Sequence, residues 1–209
     1  MTATARRPGG RAARIRAQVL TAARALLVER GYDALTVDTV AERSGVHRAT
    51  VYRRWRDVGG LLADVLASAL DDDWRPRDTG TLAGDLTALN EEVRAALVED
   101  PPLTMALIAA SFRSAPAATA LGRFWEDRYA RCGVVVDRAV ARGEVPAGTD
   151  ARRLLIAATA PVYHRLVLLR QPDDPGLPGD AARATALAAA AGAFDGPAPA
   201  AAERPVGER

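Results

Sequence analysis

Ile15, Val19, Ala22 and Leu26 recur at steps of four, three and four, and Leu27 widens the stripe, so residues 11–30 predict one amphipathic helix closed by Gly31. A short helix over about 37–43 follows, with Thr36 as N-cap and Val37, Val40 and Ala41 facing inward. Ser44-Gly45 breaks it. A second short helix covers about 46–55, and Asp57 caps a longer one that carries Leu61, Leu62, Val65, Leu66, Ala69 and Leu70. The charged, Pro- and Gly-containing stretch 74–80 marks the boundary between two packed units. Beyond it, Leu82, Leu86, Leu89, Val93 and Leu97 keep a helical step as far as Pro101-Pro102, and the almost wholly apolar 103–111 reads as a short helix buried on most sides. Ser114 caps a long helix over about 115–142. Thr149 or Asp150 starts another that runs to about Arg170, in which Pro161 removes one hydrogen bond and kinks the rod. After a Pro/Gly/Asp connector, 180–194 forms a last, alanine-rich helix.

Strand alternation is nowhere sustained, so the expected fold is all-α: about nine helices, an N-terminal three-helix unit with a helix-turn-helix, then a larger helical bundle. The expected division is a disordered arm over 1–10, a helix-turn-helix domain with its connecting helix over 11–73, a second domain over 80–194, and a disordered tail over 195–209. The 209 residues, 49% hydrophobic and 26% charged, have the balance of a folded soluble chain. No apolar run reaches the ~18 residues of a membrane span, and residues 1–10 hold no hydrophobic stretch for a signal peptide, so a cytoplasmic protein is expected. Cys132 is the only cysteine and is expected as a small buried helix residue.

Charge changes this picture more than composition does. The net value is only +2, yet residues 1–60 hold 12 arginines against 5 acids and the remainder 16 against 21. The N-terminal end is built to meet a polyanion. Every basic residue is arginine, which grips phosphate in a bidentate fork. The informative stretch is TVDTVAERSGVHRATVYRRWRD, residues 36–57. Two short helices joined at Ser44-Gly45 make a helix-turn-helix, with Gly45 free to take the left-handed conformation of the turn. Val46, Val51 and Trp55 supply the inner face of the second helix, leaving His47, Arg48, Thr50, Tyr52, Arg53 and Arg54 for other faces as donors suited to phosphates and base edges.

Here the sequence resembles the TetR family of bacterial transcriptional regulators, in detail over about 14–66 and more loosely to about 194. The motifs are LLVERGYDALTVDTVAERSGV and the aromatic reading helix ATVYRRW; RAVARGEV and APVYHRLV resemble the C-terminal ligand-binding domain of one branch. The resemblance implies DNA contact by Thr36, His47, Arg48, Thr50, Tyr52 and Arg53, the last two residues at phosphates. Two positions depart from the family. His47 stands where a serine often caps the reading helix, and Val58, followed by Gly59-Gly60, replaces a lysine that meets phosphate; Arg56 is the candidate substitute.

The aromatic residues of the second half are core by default. Met105, Phe112, Trp125, Tyr129 and His164 are the candidate lining of a small-molecule pocket, His164 being either that or a core histidine. Arg113 and Arg128 could hold an anionic group, with pairing to Glu126 and Asp127 as the ordinary alternative. For assembly, the apolar or small faces of the last two long helices point to a homodimer through a four-helix interface, with Leu155, Val162 and Leu166 on one helix and Ala184, Ala188 and Ala191 on the other. His47 and His164 lack companions at metal-ligand spacing, so no metal and no cofactor is expected. Nucleophile-elbow, phosphate-loop, dinucleotide and zinc-protease motifs are missing, and an enzyme is not expected. The expected function is a homodimeric DNA-binding regulator, a repressor released from a palindromic operator by a small molecule; the alternative is a DNA-binding dimer whose second domain only dimerises.

Overall fold

Nine α-helices and one π-helical turn account for the secondary structure of the computed structural model, which describes residues 9–70 and 72–195. The N-terminal arm and the C-terminal tail expected from sequence lie almost wholly outside the described residues. Four helices open the chain: α1 (Gly9–Arg30), α2 (Val37–Ser44), α3 (Arg48–Trp55) and α4 (Val58–Ser68). They are followed by α5 (Leu82–Val98), α6 (Leu103–Ser111), α7 (Ala115–Ala141), α8 (Ala151–Tyr163), the π turn His164–Leu168 and α9 (Leu177–Ala190).

Two compact units form, and they do not follow the linear order of the chain. The described residues up to Asp73 group with Ala96–Arg128, and Trp74–Ala95 with the described residues from Tyr129 onward. Residues 96–128, expected with the second domain, thus pack with the first. The reason is apolar: Leu103, Ala106 and Leu107 of α6, together with Ala110 and Ala117, join the core that α1 to α4 build around Val19, Leu26, Leu27, Val40, Val51 and Leu61. In the other unit Leu82 and Leu86 of α5, Val135 of α7, Leu154 and Leu155 of α8, and Ala182 and Ala189 of α9 form a second core. Cys132 is buried there as a free thiol.

Three local expectations are corrected. Only Ile108 and Ala110 of α6 are fully buried, because the nine-residue helix packs chiefly on α1 and leaves its other face half open. Rather than running to Arg170, α8 stops at Tyr163 and widens into the π turn, where the Leu169 N–H reaches back five residues to the His164 carbonyl at 2.9 Å. Pro161, which has no N–H to donate and crowds the carbonyl one turn behind it, precedes that widening by three residues. Finally, α9 begins at Leu177, with Pro178 in its first turn, and ends four residues before Phe194.

Candidate nucleic-acid interface

Each boundary of the helix-turn-helix is set by a named side chain. The Thr36 hydroxyl accepts from the Thr39 N–H, and the Thr39 hydroxyl in turn accepts from the Thr36 N–H, both at 3.0 Å, so two otherwise orphaned donors of α2 are satisfied. Gly45, at φ 66°, turns the chain out of α2 and donates to the Glu42 carbonyl. His47 then replaces the family serine in function as well as in position: its Nδ1 accepts from the Ala49 N–H at 3.3 Å and caps α3. A neutral ring that accepts at Nδ1 carries its proton on Nε2, so the outward nitrogen is a donor.

Val51 and Trp55 are buried beneath α3, as expected. Of the six residues expected at DNA, Thr36, His47, Arg48, Tyr52 and Arg53 are exposed, whereas Thr50 is half-buried. Arg48 is already engaged: its Nε lies 2.6 Å from Asp38 Oδ1 on α2, and its guanidinium stands over the Tyr52 ring at 5.3 Å. Arg54 covers the Trp55 ring at 5.2 Å instead of facing outward alone.

The junction of α3 with α4 is held by residues that the sequence pattern does not single out. Asp64 of α4 accepts from the Trp55 indole N–H at 2.8 Å and from Arg16 of α1, whose Nη2 is 2.6 Å away. Burial alone would raise the pKa of this carboxyl; the Arg16 and Trp55 hydrogen bonds and the charges of Arg16 and Arg54 outweigh it and hold the value below the ordinary 3.8. Between the two helices, Trp55, Arg56 and Asp57 form a γ-turn, with the Asp57 N–H 2.6 Å from the Trp55 carbonyl and Arg56 forced to φ 59°. Asp57 caps α4 through the Gly60 N–H at 2.8 Å. The two glycines that follow Val58, the residue in place of the family lysine, have a packing reason. A Cβ on Gly60 would stand 2.4 Å from the Trp55 carbonyl oxygen, and one on Gly59 would stand 2.9 Å from the Pro116 ring of α7. Asp64 had one sequence signal: it lies three residues after Leu61, on the same face of α4.

Residues 19–65 match the family described as bacterial regulatory proteins, tetR family, and residues 76–185 match the tetracyclin repressor-like C-terminal domain. The chain belongs to the TetR family. It is 34% identical to the DNA-binding transcriptional repressor TetR of Mycobacteroides abscessus, over 76% of this chain and 85% of that protein. It is also 32% identical to the HTH-type transcriptional regulator AqdR of Rhodococcus erythropolis, over 70% of this chain and 71% of that protein. Among solved structures, the TetR family transcription regulator SCO0332 superposes with a TM-score of 0.63 at 28% identity, covering 82% of this chain and 96% of that one. This TetR family member is therefore a DNA-binding transcriptional regulator, and α2 and α3 are its helix-turn-helix.

The remaining expected residues of this TetR regulator fare less well. Phe112 is 77% exposed at the end of α6, and His164 is exposed at the start of the π turn, so neither is a core or an enclosed pocket residue here. Met105 is half-buried; Trp125 is half-buried, edge-on to Phe124 at 5.0 Å; Tyr129 lies in the other unit, under the Arg152 guanidinium at 5.8 Å. A cavity of about 300 Å³ exists elsewhere, lined by Arg24, Ala25, Val28, Glu29, Pro101 and Leu103, and shares no residue with the expected lining. Arg113 pairs with Asp33 at 2.9 Å; Arg128 donates to Asp72 and, at 3.0 Å, to the Ala69 carbonyl that ends α4.

The expected dimer residues divide by burial. Leu155 and Val162 are 0% and 1% exposed, inside the monomer core, so they are not interface residues; the pattern mistook the inner stripe of α8 for its outer one. Leu166 and Ala188 are half-buried, while Ala184 and Ala191 are exposed. Leu187, on the expected apolar face of the last helix, stands open at 74% exposure, and so do two residues that the sequence reading passed over, Leu168 at 69% and Ile156 at 36%.

Proposed function

We propose that this TetR regulator is a homodimeric repressor that sets two copies of α3 into successive major grooves of a pseudo-palindromic operator and is released by a small-molecule effector. The observation that carries the DNA half of this reading is the exposed set of donors on the reading helix: Nε2–H of His47, the guanidinium groups of Arg48 and Arg53, and the Tyr52 hydroxyl. Two such helices about one turn of duplex apart read an inverted repeat. The open apolar side chains of α8 and α9 supply the surface on which a second copy packs, with Ala184 and Ala191 permitting close approach.

Release follows from how α4 is held. Helix α7 touches its start through Pro116 against Gly59 and its end through Arg128 on the Ala69 carbonyl, and Asp64 ties α4 to α3. An effector that binds better to a state with α7 displaced draws α4 and the reading helix with it; equal affinity for both states would shift nothing. The test is fluorescence anisotropy on duplexes tiled across the DNA upstream of the regulator's own gene. Affinity should fall steeply with salt as counterions are released, and Tyr52→Phe should weaken every duplex by a similar factor. Salt-independent binding, with Tyr52→Phe unchanged, overturns the assignment of α3. A thermal-shift screen in which no binder alters operator affinity overturns effector release and leaves a dimerising second domain.

A further inference from the structure

We propose that Asp38 is a positioning and specificity-determining residue, whose carboxylate on α2 holds Arg48 so that the guanidinium meets a guanine edge in the major groove. The inference rests on α3 being the reading helix and deepens that reading. Asp38 Oδ1 lies 2.6 Å from Arg48 Nε, and the two side chains keep 45% and 66% of their surface exposed. The contact is one of charge, for Oδ1, although screened from water, receives no aligned N–H. On its other side the guanidinium is backed by the Tyr52 ring at 5.3 Å. An arginine held at Nε still has its terminal edge, the two parallel N–H groups of Nη1 and Nη2, and that edge matches O6 and N7 of guanine.

Two physical consequences separate this role from that of an ordinary surface ion pair. An arginine fixed before DNA arrives loses less side-chain freedom on binding. Asp38 also places a negative charge among donors that face a polyanion, which weakens attraction to phosphate everywhere and is offset only where Arg48 finds its base. Asp38 therefore raises the difference between the right sequence and all others, while it lowers affinity in general.

The experiment is selection from a pool of randomised duplexes by the full-length protein, with base preference read position by position, alongside anisotropy on a fixed non-cognate duplex. Arg48→Ala should flatten a symmetric pair of guanine positions. Asp38→Asn should lower preference at those same positions by about tenfold, while binding to the non-cognate duplex stays equal or tightens. In the Arg48→Ala background, Asp38→Asn should change the guanine positions no further. Asp38→Ser, the better helix former of the two, serves if Asp38→Asn unfolds α2. Guanine preference left intact by Asp38→Asn and Asp38→Ser, yet lost with Arg48→Ala, overturns the positioning role and leaves the reading helix standing. Base preferences untouched by Arg48→Ala overturn the reading helix itself.

Discussion

The helix-turn-helix end of the molecule and the α8–α9 pair fix one helix against another by opposite means. Around α3, charged and aromatic groups do it: Arg16, Trp55 and Asp64 join three helices at one carboxylate, and Asp57, Gly60 and a γ-turn set the angle into α4. Between α8 and α9 the shared core draws on small apolar residues, Ala158 on the first and Ala182 and Ala189 on the second, with a polar clamp beside them. There the buried Asn90 of α5 donates to the Ala158 carbonyl at 2.9 Å and to the Pro178 carbonyl at 3.1 Å. Directional bonds specify an orientation, which is what reading a base edge demands. Small side chains specify closeness instead and leave Leu187 and Ile156 free to meet something else.

The contrast is broken most severely at Gly60. Gly60→Ala drives a Cβ to within 2.4 Å of a backbone oxygen that cannot swing aside, and we expect a loss of about 3 kcal/mol in chemical denaturation, with operator binding lost in parallel. The opposite result is expected of Leu187→Arg. At 74% exposure it should leave the melting temperature of the monomer nearly unchanged, yet raise the dimer dissociation constant by about a hundredfold in sedimentation equilibrium, since a buried anchor is worth roughly 2 kcal/mol or more. A dimer unaffected by it places the interface off this face.

Smaller effects sharpen the comparison. Asp64→Asn should cost about 2 kcal/mol at neutral pH, the scale of hydrogen bonds to a charged group. Because the folded pKa of Asp64 is depressed, its contribution is complete above the ordinary value of 3.8 and drains away as pH falls through the folded value. Acid denaturation curves of wild type and Asp64→Asn should therefore converge below that pH. The smallest effect has the reverse sign: Arg56→Gly relieves a positive φ and should stabilise by about 0.5–1 kcal/mol. If Arg56 stands in for the missing lysine at phosphate, the same variant binds operator more weakly and with a shallower salt slope.

What could be read from sequence was what is local. Thr36 and Asp57 cap the helices they were expected to cap, Asp150 is the one of the two candidates, Thr149 and Asp150, that caps α8, Gly45 takes its turn, and α6 begins and ends at Leu103 and Ser111 as its apolar run suggests. The reading-helix donors stand exposed because Val51 and Trp55 alone claim its inner face. Elsewhere the pattern was degenerate. Leu154, Leu155 and Ile156 are consecutive and equally apolar, so periodicity offers no way to decide which meets the core and which is left outside. The Arg16–Asp64 pair spans 48 residues and follows no period at all. The grouping of residues 96–128 with the first unit likewise depends on contacts between distant stretches, while a composition boundary marks only where a chain is loose.

The carboxylate of Asp64 also bears on time. A helix of eight residues is too short to persist by its own hydrogen bonds, and α3 is pinned at Trp55 to a group shared with α1 and α4. Opening α3 alone would strand the indole donor and leave Asp64 with Arg16 only. The reading helix should therefore exchange its amide hydrogens in step with α1 and α4, as one cooperative unit, and fast local fraying would be confined to the turns on either side.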